Sequence, residues 1–329
     1  MRKHILIVSP ASERDNNGNW QTASRWARFL RGSHGVTLAG GWTPEQPAPD
    51  LLIALHARRS AAALAAFSDA HPDKASVLVL TGTDLYRDIA VDPDAQASLA
   101  RAHALVLLQP AGLALLPHAS RTKARVIYQS APSLRPYPRA AIPRCFAIAM
   151  VGHLRAEKDP LTFIRAAELV THPAARLLHI GGALDPALGE AARAAQAANS
   201  RYRWLGALPH AAARQRLKRC RAMAITSSME GGANVIIEAV TSGVPVLASD
   251  INGNRGMLGE DYGGYFAPGD AAALARLIDR IIEDAGFDAL LRRQCAARAA
   301  LFAPSVEQAA LRDLVDNLLL QPDTYGRPR

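Results

Sequence analysis

The sequence predicts an α/β protein of two domains, each built on a doubly wound parallel sheet. Three observations carry this. Short apolar runs of strand length alternate with helical stretches along the whole chain. The alternation is broken once, at Pro132–Pro143, where four prolines in twelve residues exclude a regular element and mark an interdomain linker. The chain has 329 residues, 49% of them hydrophobic, enough for about two domains with full cores.

In the first half the predicted strands are His4–Ser9, Val36–Ala39, Leu51–Leu55, Val77–Leu80, Leu105–Leu108 and Val126–Tyr128. A polar loop, Pro10–Asn19, follows the first of them. It leads into a helix over Trp20–Arg31, with Trp26, Phe29 and Leu30 at helical spacing. The alanine-rich Ser60–Phe67 reads as another helix. The second half repeats the order with strands at Phe146–Val151, Leu177–Gly181, Tyr202–Leu205, Met223–Ser228 and Val246–Ser249. After Pro268 two helical stretches run to about Phe302. Val306–Leu320 closes the chain as an amphipathic helix with Ala310, Leu311, Leu314, Val315 and Leu318 on one face. The expected domains are residues 1–137 and 138–305, with 306–329 as a C-terminal helix able to cross back to the first domain.

Composition removes several function classes. Cys145, Cys220 and Cys295 lie far apart, which is neither a disulfide framework nor a zinc site. No run reaches the ~18 apolar residues of a membrane helix, and no targeting signal is evident, so a cytoplasmic protein is expected. The net charge of +9 invites a nucleic-acid reading. The arginines are scattered, however, aromatics are only 5%, and small anionic substrates account for the charge equally well. Asp92-Pro93-Asp94 has the form of a metal motif but sits in a polar loop before a helix. No other metal-ligand spacing appears, so neither metal nor cofactor is expected.

The most informative stretch is Glu230–Asp250. A strand leads into Gly231 and Gly232, a helix begins near Asn234, and Gly243 and Pro245 end it before the next strand. Free N–H groups at such a turn favour an anion, and glycines let phosphate approach the backbone. Glu238, about one turn beyond Asn234, is placed to accept hydrogen bonds from a vicinal diol such as a ribose. Glu230, in the turn, reaches toward whatever the phosphate carries. In the first half, three predicted strands end in polar groups: His56 with Arg58 and Arg59, Thr81 with Thr83 and Asp84, and Gln129 with Ser130. Ligands of such sheets bind beyond these ends, while Thr83 or Asp84 also suits a helix cap. A dehydrogenase is disfavoured, because no Gly-x-Gly-x-x-Gly follows the first strand.

Two glutamates with seven residues between them, after a strand and around Gly-Gly, resemble the donor motif of glycosyltransferase family 4. That resemblance implies the GT-B fold, two Rossmann-like domains facing across a cleft, with the C-terminal helix crossing back to the first. It implies that Glu238 holds the ribose of a nucleotide sugar and Glu230 contacts the transferred sugar. Gly231, Gly232, Ala233 and Asn234 would hold the diphosphate. The segment Gly152–Asp159 resembles the family's Gly-Arg-x-x-x-x-Lys-Gly. Lys158 matches by spacing, but His153 stands for the usual Arg and Asp159 for the usual Gly. Arg155 is a second candidate for the missing cation. The Pro10–Asn19 loop resembles the family's acceptor-facing N-terminal loop.

Four first-half segments, Gly18–Ala27, Leu52–Ala61, Leu80–Ile89 and Val126–Ala131, resemble SenB-type selenosugar synthases of selenoneine biosynthesis. This implies transfer of a sugar from UDP-glucose or UDP-N-acetylglucosamine to the selenium of selenophosphate. The UDP-sugar is then a substrate, and no cofactor is implied. Acceptor-side candidates are Gly18, Asn19, Thr22, His56, Arg58, Arg59, Thr81, Thr83 and Asp84. Lys158, Arg155 and Glu230 are the candidates at the reacting centre. The rival readings are a family 4 transferase acting on a hydroxyl and a noncatalytic binder of nucleotide sugar or nucleic acid.

Overall fold

The computed structural model describes residues 2–13, 18–137 and 145–320. The chain forms two compact units, Met1–Ser130 with Pro304–Arg329, and Ala131–Ala303.

The first unit is a six-stranded parallel sheet of β1 (His4–Val8), β2 (Gly35–Ala39), β3 (Leu51–Leu55), β4 (Ala75–Leu80), β5 (Ala104–Leu107) and β6 (Ala124–Val126). Their order is β2-β1-β3-β4-β5-β6, with Ile5 opposite both Val36 and Leu51. Successive side chains point to opposite faces, and both faces are covered. Ile5, Ile7, Leu51, Ile53 and Val77 pack with Trp26 and Leu30 of the helix Gly18–Leu30 and with Leu311, Leu314 and Leu318. Leu6, Val8, Leu52 and Leu78 pack with Leu64, Phe67 and Leu99 on the other face. Each such side chain, once fully buried, contributes about 1.5–3 kcal/mol.

The helix Pro304–Leu320 thus completes the first unit's core. A buried carboxylate pins it there: Glu307 accepts from Trp26 Nε1 at 2.7 Å, Arg25 Nε at 2.8 Å and Ser130 Oγ at 2.5 Å. Three donors compensate a charge that would otherwise be costly to bury.

The second unit carries β7 (Phe146–Val151), β8 (Ala175–Ile180), β9 (Tyr202–Trp204), β10 (Ala222–Ile225), β11 (Val246–Ser249) and β12 (Tyr265–Phe266). They are ordered β12-β11-β10-β7-β8-β9, again all parallel. In each sheet the winding reverses once, between β1 and β3 in the first and between β7 and β10 in the second. Ligands of open α/β sheets sit beyond the C-terminal strand ends at such reversals.

Several element boundaries differ from expectation. The first helix begins at Gly18, not Trp20, so Gly18 and Asn19 belong to its first turn; Asn16 and Asn17 lie outside the described residues. The sixth strand is Ala124–Val126 instead of Val126–Tyr128; Ile127 N–H still donates to the Leu107 carbonyl at 2.9 Å, and Gln129 and Ser130 then form bonds to Thr22 and Glu307. β12, two residues long, is too short for a sequence pattern to show. Of the proline-rich segment, 132–137 has no regular structure, and 138–143 lies outside the described residues. Asp92 of the Asp-x-Asp pattern caps the helix Pro93–Arg101, accepting from Ala95 N–H at 2.9 Å. Among the described residues no helix is long and apolar enough to cross a membrane, and no group of three or more His, Cys, Asp or Glu could hold a metal.

Candidate active site

The residues that follow β7 and β10, the two strands flanking the second reversal, are brought together. After β7 the chain runs through Gly152 and His153 to a short turn, Ala156–Lys158. After β10 it runs through Thr226 and Ser227 to Glu230. Thr226 Oγ1 donates to the Lys158 and Asp159 carbonyls, both at 2.8 Å, and Ser228 N–H donates to the Glu157 carbonyl at 3.0 Å. With the loops locked, Lys158 Nζ meets Glu230 Oε1 at 2.5 Å, and Ser227 Oγ donates to the same oxygen at 2.6 Å. Both charged side chains are largely buried, 15% and 10% exposed. In a low-dielectric setting such a charge-assisted pair is strong. The Lys158 stem passes over Gly152, at ordinary contact distance, 3.6–3.8 Å, from where a Cβ would stand.

Asp159 explains its own departure from the family pattern. Its φ is 42°, the left-handed region where glycine is usual and aspartate is tolerated. Its carboxylate caps the helix Pro160–Leu169, accepting from Thr162 Oγ1 at 2.5 Å and from Thr162 N–H at 3.3 Å. Asp therefore keeps the turn and adds the cap.

His153, in the place of the family's arginine, is a poor substitute for its charge. Its Nδ1 accepts from Gly182 N–H at 3.1 Å. Burial, with Arg155 and Lys158 adding to it and the Gly182 contact opposing it, holds its pKa below the usual histidine value, which disfavours the charged ring. Arg155 is exposed on the same loop.

The Gly231–Ala233 turn opens the helix Asn234–Val240, which begins without a side-chain cap. Glu238 on that helix is 9% exposed, and its Oε1 lies 2.7 Å from His210 Nε2. Ser227, Thr226 and His210 are contacts the sequence did not flag. The serine and threonine were visible as a polar Thr-Ser-Ser run ending a strand. Nothing in the sequence singles out His210.

At the first unit's strand ends the polar groups are also joined, but mostly to one another. Asp84, expected at the acceptor or as a cap, is fully buried. It accepts from Ala57 N–H at 2.9 Å, Thr81 N–H at 2.9 Å and Gly82 N–H at 2.8 Å, tying the loop after β3 to the loop after β4. Thr83 caps nothing; its hydroxyl lies 3.1 Å from His56 Nε2. His56 has a left-handed φ of 74° and is 2% exposed. Its pKa is pushed down, first by burial. Arg58 Nε and Arg87 Nε each bond the buried Asp88 at 3.1 Å. Thr22 is buried too, donating to the Gly18 carbonyl at 2.8 Å and accepting from Gln129.

Arg59, exposed like Arg58, differs in forming no ion pair among the described residues. It borders a cavity of about 500 Å³ with Gly40, Gly41, Trp42, Thr43 and Gln46. A neighbouring cavity of about 450 Å³, beside Ser9, Ser12, Glu13 and Trp20, lies at the ends of β1 and β2.

The two-sheet architecture is that of the GT-B glycosyltransferases. The Anabaena HepE protein, solved with UDP-glucose, superposes with a TM-score of 0.78 at 18% identity, over 96% of this chain and 100% of that one. Sucrose-phosphate synthase from Thermosynechococcus elongatus gives 0.77 at 18%, over 97% and 100%. The pneumococcal O-GlcNAc transferase GtfA, solved with UDP and GlcNAc, gives 0.65 at 16%, over 82% and 57%. At these identities the likeness is one of fold. No curated protein matches the chain in sequence. Residues 144–322, more than half of the chain, match the model of the family described as glycosyl transferases group 1, and the chain belongs to that family.

Proposed function

We propose that this glycosyltransferase moves the sugar of UDP-N-acetylglucosamine or UDP-glucose to the selenium of selenophosphate. The observation that supports donor chemistry best is the Lys158–Glu230 pair at the second reversal, with Glu238 on the helix that follows. Glu238 holds the ribose through its second oxygen, while His210 occupies the first. Lys158 and Arg155, with the Gly231–Asn234 amides, meet the diphosphate, and Glu230 divides its carboxylate between Lys158 and the sugar. Charge grows on the diphosphate as the C1–O bond breaks, so Lys158 acts most strongly in the transition state.

Selenophosphate is an anionic, soft nucleophile and needs no base to remove a proton. A selenium lone pair forms the C1–Se bond while UDP departs with the electrons of the C1–O bond. The first-unit features agree with this requirement: its three buried carboxylates among the described residues, Asp84, Asp88 and Glu307, are engaged in hydrogen bonds and ion pairs, and His56 is held by its neighbours. Arg59 is the cation we assign to the selenophosphate anion.

The test is incubation with one UDP-sugar and selenophosphate, thiophosphate or simple alcohols, followed by mass spectrometry. The expected result is UDP and a selenium-containing sugar, with thiophosphate slower and alcohols poor. Faster transfer to an alcohol or sugar hydroxyl would overturn the selenium acceptor and leave the UDP-sugar transferase standing.

A further inference from the structure

We propose that Gly253 and Ser249, absent from the sequence reading of the site, are positioning residues that fix Glu230 and, through it, Lys158. The proposal rests on the donor-side assignment of that pair.

Two separate contacts converge on Glu230. The first acts on its main chain. A Cβ built on Gly253, in the helix Asn252–Leu258, would fall 2.0 Å from the Glu230 carbonyl oxygen and 3.0 Å from the Glu230 Cβ. No side chain fits there, and the obstacle is backbone, so any residue but glycine displaces the turn that carries Glu230. The second acts on its side chain. Ser249, the last residue of β11, donates from Oγ to the Ser227 carbonyl at 2.6 Å. Ser227 in turn donates from Oγ to Glu230 Oε1 at 2.6 Å. Asn254 Nδ2 secures Ser249, donating to its carbonyl at 2.8 Å and its Oγ at 3.1 Å. Ser227, Ser249 and Asn254 are all fully buried. The chain Asn254–Ser249–Ser227–Glu230–Lys158 is therefore a continuous relay of short bonds from the β11 end to the ammonium.

Catalytic groups must be held to within fractions of an ångström, and a misplacement of about 1 Å can cost roughly 100-fold in rate. A Cβ at Gly253 forces a shift of that size. Glu238 and His210 lie on other elements and do not take part in the relay, so nucleotide affinity is expected to stay while turnover falls.

The experiment measures UDP release from UDP-N-acetylglucosamine, with selenophosphate or water as acceptor, and UDP affinity by calorimetry. Gly253→Ala should lower kcat about 100-fold and leave the UDP Kd within about threefold. On a Glu230→Gln background the same substitution should lower kcat less than about threefold, because the group it acts through is already impaired. Ser249→Ala, which removes one hydroxyl and adds no bulk, should lower kcat about tenfold with the same non-additivity. It carries the test if Gly253→Ala does not fold. The proposal is overturned if kcat stays near wild type, if the paired losses simply multiply, or if kcat and UDP affinity fall together. Lys158→Ala separates the two readings. If it leaves kcat intact, the donor-side assignment fails. If it abolishes turnover while Gly253→Ala and Ser249→Ala do not reduce it, only the positioning proposal fails.

Discussion

The ends of β7 and β10 and the ends of β3 and β4 are built from similar materials, a few charged residues on loops after parallel strands, and they differ in where the charges go. In the second unit Lys158 and Glu230 meet each other while still 15% and 10% exposed, so the pair is held without being closed off. In the first unit Asp84 is fully buried and used up on three backbone N–H groups, and Asp88 on two arginines. A buried carboxylate with all its bonds made is a structural tie, and replacing it is punished in stability. A partly exposed pair at a sheet reversal is a candidate for chemistry, and replacing it is punished in rate. The two regions thus make opposite predictions for substitutions that look alike in sequence.

The largest effect is expected at Lys158. Lys158→Ala should lower turnover roughly 10²–10³-fold, comparable to loss of one transition-state donor, and raise the donor KM much less. Steady-state kinetics decide it: a raised KM with turnover unchanged would reduce Lys158 to a binding residue. Next is Asp84→Ala, which strands three buried N–H groups and should lower unfolding free energy by about 2–3 kcal/mol. Denaturant unfolding is the measurement. A stable protein with a raised acceptor KM would return Asp84 to the acceptor site and blur the contrast.

The donor side was the more legible of the two because its signal is backbone-borne. Gly231 and Gly232, the two glutamates around them and the strands on either side are local in sequence, so they could be placed without knowing the fold. The contacts that hold Glu230 are not local. Ser249 and Gly253 come from a later strand and helix, and only the closed sheet shows a backbone carbonyl lying where a Gly253 Cβ would be. On the acceptor side the polar strand ends were visible, but sequence cannot tell a ligand-facing residue from a tie. Thr22, Gln129 and Ser130 read as candidates and proved to be buried links to Gly18, Thr22 and Glu307. The strand pattern itself was plain because every residue of β3 and β4 is buried, giving runs that are apolar except for Ser76.

A smaller effect is expected at Glu238, where the second unit resembles the first in having a carboxylate already partnered. Glu238→Ala should weaken UDP binding about tenfold, the worth of one charge-assisted hydrogen bond, and weaken binding of 2′,3′-dideoxy-UDP little. Calorimetry with both ligands checks it, and equal losses would mean that Glu238 serves only to hold His210.

The smallest effect sharpens the comparison inside the first unit, between adjacent arginines. Both are exposed, but Arg58 is paired with buried Asp88, whereas Arg59 is unpaired among the described residues and beside a cavity. Arg59→Ala should raise the KM for selenophosphate about fivefold and leave UDP affinity and thermal stability nearly unchanged, since it forms no ion pair among the described residues. Arg58→Ala should do the reverse, because it uncovers a buried carboxylate that Arg87 alone then balances; its cost should appear as about 1 kcal/mol of stability with little change in KM. Salt adds a second test. An exposed cation acting on a small anion is screened, so the Arg59→Ala effect should shrink as ionic strength rises from about 0.05 M to about 0.5 M. If Arg58→Ala raises the KM and Arg59→Ala does not, the anion is held beside Asp88 instead, and the distinction between tie and ligand drawn from pairing fails at this position.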